Sequence, residues 1–163
     1  MEFAPIPDDE AARLDAVHRL GLLDTPPEER FDRITKAALE QLHVPISTVS
    51  IIDKNREFYK SCQGTLERQG DRDISFCGHA MLAKYLFVVS DTLDDPRFAD
   101  NPTVVGDPHI RFYAGVALFD HKTRQPVGVF CVKDTKPRQW SAAETDTLLR
   151  LGKLAEDEVN AGA

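Results

Sequence analysis

The sequence predicts an α/β domain of the α+β kind, an antiparallel sheet with helices on its faces, and three observations carry that expectation. The elements follow the order helix, helix, two strands, a helical connection, one strand, a long loop, two strands and a helix, which suits such a sheet. The strands come as hairpin pairs, the first turned by Asp53-Lys54-Asn55 and the last by a polar stretch after Asp120. A chain of 163 residues, 42% hydrophobic and 29% charged, is long enough to bury its own core without a disulfide or a metal.

Residues 1–10 read as an acidic, Pro-containing leader. Leu14, Val17 and Leu20 then recur at helical spacing, and Gly21-Leu22-Leu23-Asp24 stops that first helix before two prolines. Thr25-Pro26-Pro27-Glu28 has the form of a capping box, and Phe31, Ile34, Ala38 and Leu42 fall on one face of a second helix that stops before Pro45. That face is expected to lie on the sheet.

Residues 46–53 are rich in β-branched side chains, and 56–62 resume with partial alternation, so they pair as a hairpin. The piece 63–73 is polar and carries glycine, while Ser75 is placed to cap a short helix from Cys77 to Lys84. A third strand follows over 86–91. Residues 92–108 hold three prolines and four aspartates and read as a long ordered loop with a helical turn or two. The segments 111–120 and 126–134 are the last two strands. The first of them is apolar on both faces, which places it inside the sheet. Ser141-Ala142-Ala143-Glu144 is a second capping box, opening a helix with Leu148, Leu151, Ala155 and Val159 along one stripe.

Composition narrows the function. A net charge of -7 disfavours a nucleic-acid partner, because such binding draws most of its affinity from Lys and Arg on phosphates. No apolar run is long enough to span a membrane, and Met1-Glu2-Phe3-Ala4-Pro5 lacks the layout of a signal peptide, so a cytoplasmic protein with no membrane partner is expected. Cys62, Cys77 and Cys131 are an odd number without a CxxC pair, which points to reduced thiols. The histidines are too scattered to converge on a metal.

Several pieces, in order, resemble the GAF family of small-molecule sensing domains, in the bacterial subgroup found beside histidine kinases and cyclic-dinucleotide synthases. They are Phe31-Asp32-Arg33-Ile34-Thr35, Val49-Ser50-Ile51-Ile52-Asp53, Ser75-Phe76-Cys77-Gly78-His79, Asp94-Asp95-Pro96-Arg97-Phe98 with Asn101-Pro102, Ile110-Arg111-Phe112-Tyr113-Ala114-Gly115, and Gly128-Val129-Phe130-Cys131-Val132-Lys133-Asp134. The resemblance covers about 14–157 and makes 1–163 one GAF-like domain. It implies a central antiparallel sheet of five or six strands, terminal helices on one face, and a pocket on the other walled by residues 63–85 and 92–110. It also implies a sensor of an unidentified small molecule, not an enzyme, acting by ligand- or redox-dependent conformational change. The implied partners are a kinase or cyclase output domain and a second copy docked through the terminal helices; no cofactor is named.

The candidate pocket residues are Phe76, Cys77, His79, Asp91, Arg111, Tyr113 and Cys131. If Ser75 is an N-cap, Cys77 stands where helix N–H groups and a protonated His79 favour a thiolate, which would make it the most reactive thiol. The alternative is a small buried hydrophobe beside a hydrogen-bonding core histidine. Arg111 and Tyr113 alternate onto one strand face and could offer a cation and a hydroxyl to a ligand. Arg111 could equally pair with Asp91, Asp94 or Asp107. Cys62 and Cys131 lie in strands whose register the sequence does not fix, so core packing is their default reading. Two further readings follow from the resemblance. Free methionine sulfoxide reductases share the fold, though their cysteine placement differs. Bilin photoreceptors attach a tetrapyrrole through a cysteine followed by histidine, whereas Gly78 separates Cys77 from His79 here.

Overall fold

The computed structural model of the protein describes residues 1–162. The chain runs through α1 (Glu10–Leu20), α2 (Glu29–Leu42), β1 (Ile46–Ile52), β2 (Arg56–Gln63), β3 (Gln69–Asp71), α3 (Phe76–Ala80) and β4 (Phe87–Val89). A 3-10 turn (Thr92–Asp94), α4 (Pro102–Val105), β5 (Phe112–Phe119), β6 (Pro126–Asp134) and α5 (Ala142–Asn160) complete it. The strands form a six-stranded sheet in the order β3-β2-β1-β6-β5-β4, antiparallel at every pairing. This is the GAF-like α/β architecture that the sequence predicts, with β5 inside the sheet.

The sheet separates two cores. On one face, Phe31, Ile34, Ala38 and Leu42 of α2 and Leu148, Leu151, Ala155 and Val159 of α5 meet Val49, Ile51, Phe112, Ala114, Val116, Phe130 and Val132. The period of 3.6 in the helices and of 2 in the strands thus brings both apolar stripes to one surface. Gly152 lets α5 sit close: a Cβ there would stand 2.5 Å from Val116 Cγ2. The other face carries α3, the 3-10 turn and α4, around Ile46, Ile52, Val129, Phe98, Val104 and Ile110.

Several local expectations are corrected. Thr25 caps nothing: α2 begins at Glu29, and the Thr25 hydroxyl instead donates to Leu22 O and accepts from the buried Lys60 Nζ at 2.8 Å. Two consecutive prolines keep residues 26–27 out of the box geometry, and Lys60, fully buried, needs the acceptor more than the helix does. In α1 the buried stripe is Arg13, Ala16 and Val17 rather than Leu14, Val17 and Leu20. Arg13 is drawn inward because its guanidinium donates to Ile52 O at 2.8 Å and pairs with Glu10. The helix that Ser75 caps stops at Ala80, short of Lys84, as Leu82 N and Ala83 N bond three residues back and tighten the turn.

The polar piece 63–73 contributes an edge strand, β3, paired to β2 through Arg56, Glu57 and Phe58. The leader is a packed strap: Glu2 N donates to Arg97 O at 3.0 Å and Ala4 N to Asp73 O at 2.8 Å, which lays Ala4 on α3. No helix among the described residues is long and apolar enough to cross a membrane.

Candidate ligand cavity and thiol cluster

Strand alternation sends Thr48 and Ser50 of β1, Tyr113 of β5, and Cys131 and Lys133 of β6 to the face away from α2 and α5. Glu57 and Tyr59 of β2 join them. Ser75 accepts a hydrogen bond from Gly78 N at 2.9 Å, so α3 starts where expected and lowers Phe76 and Cys77 onto that face.

The candidates then divide. Phe76, Cys77, Tyr113 and Cys131 come together in one buried cluster, with the His79 ring at its margin, edge-on to Phe98. The Tyr113 hydroxyl donates to Cys77 Sγ at 3.1 Å, Cys77 Sγ lies 3.8 Å from Cys131 Sγ, and Cys131 Sγ is 3.1 Å from the Thr48 hydroxyl. Phe76 stacks between Phe98 and Tyr113, with ring centroids 4.4 and 5.1 Å away. Asp91 and Arg111 stand outside the cluster. Asp91 caps the 3-10 turn by accepting from Leu93 N, and Arg111 donates to Val104 O at 2.9 Å. Neither Arg111 nor Asp91 lines either of the two chambers beside the cluster, and loop carbonyls and amides take up their polar atoms. Arg111 therefore pairs with backbone, not with an aspartate.

The thiol chemistry differs from the thiolate expected at Cys77. Burial pushes the Cys77 thiol well up, and the neighbouring Cys131 sulfur and Glu57 carboxylate add to that, outweighing Lys133. At Cys131 burial also opposes ionisation, but the Cys77 thiol, the Lys133 ammonium and the Thr48 hydroxyl together bring its pKa down. The pair thus ionises first at Cys131, beside the cation. His79 does not help Cys77. Burial lowers its pKa, and its Nε2 faces Glu2 O at 3.1 Å, across the strap. Cys62 is partly exposed at the far edge of the sheet, near Thr65 and Glu67 carbonyls.

Beside the cluster a cavity of about 430 Å³ opens between the sheet and two connections. Ile46, Thr48, Tyr59 and Lys133 line its sheet side, Gly64 to Gly70 one wall, and Thr103, Asp107, Pro108 and Ile110 the other. A smaller chamber of about 70 Å³ adjoins it, shares Tyr59, Gly70, Thr103 and Lys133, and adds Glu57, Ser75 and Phe76. The walls fall within the two connections that the resemblance implied. Of the candidate residues only Phe76 reaches this lining. Lys133, Glu57 and Tyr59 were missed, although alternation puts Lys133 on the same face of its strand as the candidate Cys131. Among the described residues, no group of three or more His, Cys, Asp or Glu is placed to hold a metal ion.

The profile of the family described as "GAF domain" matches residues 26–159. A cyclic di-GMP phosphodiesterase of Pseudomonas aeruginosa is 42% identical over 138 residues, which are 85% of this chain and 23% of that protein. The chain therefore spans about a quarter of the curated relative it matches. The expectation that the chain is not an enzyme is corrected by that relative, whose name is that of a phosphodiesterase and of which the chain covers 23%. Among solved structures, the GAF domain of an Acinetobacter phosphoenolpyruvate-protein phosphotransferase superposes with a TM-score of 0.62 at 14% identity, covering 91% of this chain and 92% of that one. A type II free methionine-R-sulfoxide reductase from Thermoplasma acidophilum gives 0.65 at 12% identity, covering 89% and 95%. At such identities the two structures speak for the fold alone. With a family match over most of its length and the sheet, helices and cavity in the expected places, the chain belongs to the GAF domain family.

Proposed function

We propose that this chain is a small-molecule-sensing GAF module acting in the cytoplasm, whose ligand-dependent rearrangement is read by an output domain such as a cyclic-dinucleotide phosphodiesterase. One observation carries the reading: a cavity of about 430 Å³ between the sheet and the two connections that carry residues 64–70 and 103–110. Its size falls in the range usual for small-ligand sites. Occupation there would pull residues 64–70 and 103–110 toward the sheet. The wall segment 103–110 is continuous with Arg111 and β5, against which α5 packs, so a shift has a route to the terminal helix. The phosphodiesterase name of the Pseudomonas relative supports the choice of output.

The terminal helix also supports a homodimer. Leu149 and Leu154 of α5 remain 43% and 46% exposed, on the side away from the sheet. Two such faces across a two-fold axis would cover one another.

Native mass spectrometry of freshly purified protein tests both parts. A retained or titratable small molecule that raises the melting temperature, with a dimer mass, is the expected result. A chain that is monomeric at high concentration removes the dimer; a chain whose melting temperature no metabolite pool shifts removes the sensing role.

A further inference from the structure

Two charged groups along the cavity have polar atoms left without a hydrogen-bond partner, and they are of opposite sign. The Lys133 ammonium is partly buried and meets no hydrogen-bond acceptor or carboxylate among the described residues; the groups that act on it, Cys131, Glu57 and Cys77, do so through space. The Phe76 ring lies beside it, 5.9 Å from Nζ to the centroid. Glu57 is 3% exposed, and its Oε2 has no hydrogen-bond partner. A buried carboxylate oxygen without a donor and an unpaired ammonium are each costly, and proteins tolerate them where a ligand completes the set.

Both groups line the small chamber of about 70 Å³, and Lys133 also lines the larger one. Tyr59, Gly70, Thr103 and Lys133 form the neck between the two. Gly70 keeps that neck open: a Cβ there would lie 3.1 Å from Tyr59 Oη and 3.6 Å from Glu57 Cγ.

Charge balance selects the ligand. A plain anion would gain Lys133 but face the Glu57 carboxylate, with Glu67 and Asp107 at the rim. A plain cation would gain Glu57 but face Lys133. Among the described residues Lys133 is the one basic group on the walls of the two chambers, so a ligand with several phosphates is poorly matched. A molecule carrying one carboxylate and one ammonium a few bonds apart satisfies both.

We propose that the cavity binds a free α-amino acid, its carboxylate on Lys133, its ammonium on Glu57, and its side chain in the larger chamber. This rests on the sensing role and names its ligand class. The larger chamber, with Ile46, Pro108 and Ile110 beside Thr48 and Gln69, leaves room for a neutral side chain, while the acidic rim disfavours aspartate and glutamate.

The test is calorimetric titration of the purified chain with each common protein amino acid in turn. At least one neutral amino acid is expected to bind, and its N-acetyl and carboxamide forms to bind roughly tenfold more weakly or worse, since each loses one charge-assisted hydrogen bond. Lys133→Met and Glu57→Gln are each expected to weaken binding by about the same factor. Should either variant fail to fold, Gly70→Ala, which fills the neck, gives an independent loss of binding. If no amino acid binds but a carboxylate without an amine or a nucleotide binds in a Lys133-dependent way, the amino-acid assignment falls and the sensing role stands. If neither these compounds nor a small-metabolite extract shifts the melting temperature, both fall.

Discussion

The Tyr113 hydroxyl donates to the Cys77 sulfur at 3.1 Å, in a site where both side chains are wholly buried. A thiol held there as an acceptor, with its ionisation pushed up by burial, is a poor nucleophile in the native state. Alkylation by iodoacetamide at pH 7.5, followed by peptide mapping, is expected to label Cys62 first, because it alone is partly exposed. Cys77 and Cys131 should react only at the rate of unfolding, becoming fast in denaturant. Labelling of Cys77 as quickly as Cys62 in the folded protein would restore the reactive-thiol role.

Gly78 is required by the strap that crosses it. A Cβ at Gly78 would stand 2.6 Å from Ala4 Cβ and 2.8 Å from Ser75 Oγ, closer than real Cβ contacts allow. Gly78→Ala must therefore lift residues 1–4 from α3 or break the Ser75 cap, at a cost of about 1–3 kcal/mol. Limited proteolysis is expected to cut the variant near its N-terminus much sooner than the parent. Equal cleavage of both would show that the strap does not depend on this contact.

The motif from Ser75 to His79 shows what the sequence could and could not tell. Ser75 as N-cap and the short helix were legible, because capping is a local affair of three or four residues. The strap was not: that Gly78 serves Ala4, and His79 Nε2 faces Glu2 O, depends on contacts more than 70 residues apart. The same holds for Arg111, for which a ligand or an aspartate stood open as partner and which instead donates to the carbonyl of Val104, at the end of α4. Lys133 and Glu57 went unnoticed because a charged residue inside a strand segment has no marked direction until the register with Ile46 and Gly70 is known.

Asp120 gives the fold a dependence on acid. Its side chain is 1% exposed in the turn between β5 and β6, pairs with Arg19 and accepts from the Thr123 hydroxyl at 2.6 Å and the Thr123 amide at 3.0 Å. Burial alone would raise its pKa, but Arg19, Thr123 and the Lys122 amide outweigh it and lower the pKa from 3.8 to about 2. A carboxylate depressed in the folded state stabilises it fully above 3.8, and that contribution is lost as pH falls from there to about 2. The loss amounts to about 2 kcal/mol. Urea unfolding midpoints measured between pH 5 and 2 should fall less steeply for Asp120→Asn than for the parent, from a lower start. Parallel curves would show that Asp120 is not a source of the acid sensitivity.

The two Ser/Thr-x-x-Glu sequences look alike and hold different elements, so their alanine variants should differ in kind. At Ser141 the box is complete: its hydroxyl accepts from Glu144 N and Glu144 accepts from Ser141 N, both at 3.1 Å, at an exposed helix start. Ser141→Ala should cost about 1 kcal/mol, the usual worth of a cap, and fray only the first turn of α5. Thr25 serves Lys60, whose ammonium is buried and reaches Thr25 Oγ1 at 2.8 Å, Pro26 O at 2.7 Å and Glu28 at 2.6 Å. Thr25→Ala takes one of three acceptors from a buried cation, which costs about 1–3 kcal/mol. Lys60→Met in the Thr25→Ala background should recover most of that loss, because no charge is then left short of acceptors. Thermal unfolding of the single and double variants decides it: additive losses would mean that Thr25 acts on α2 and not through Lys60.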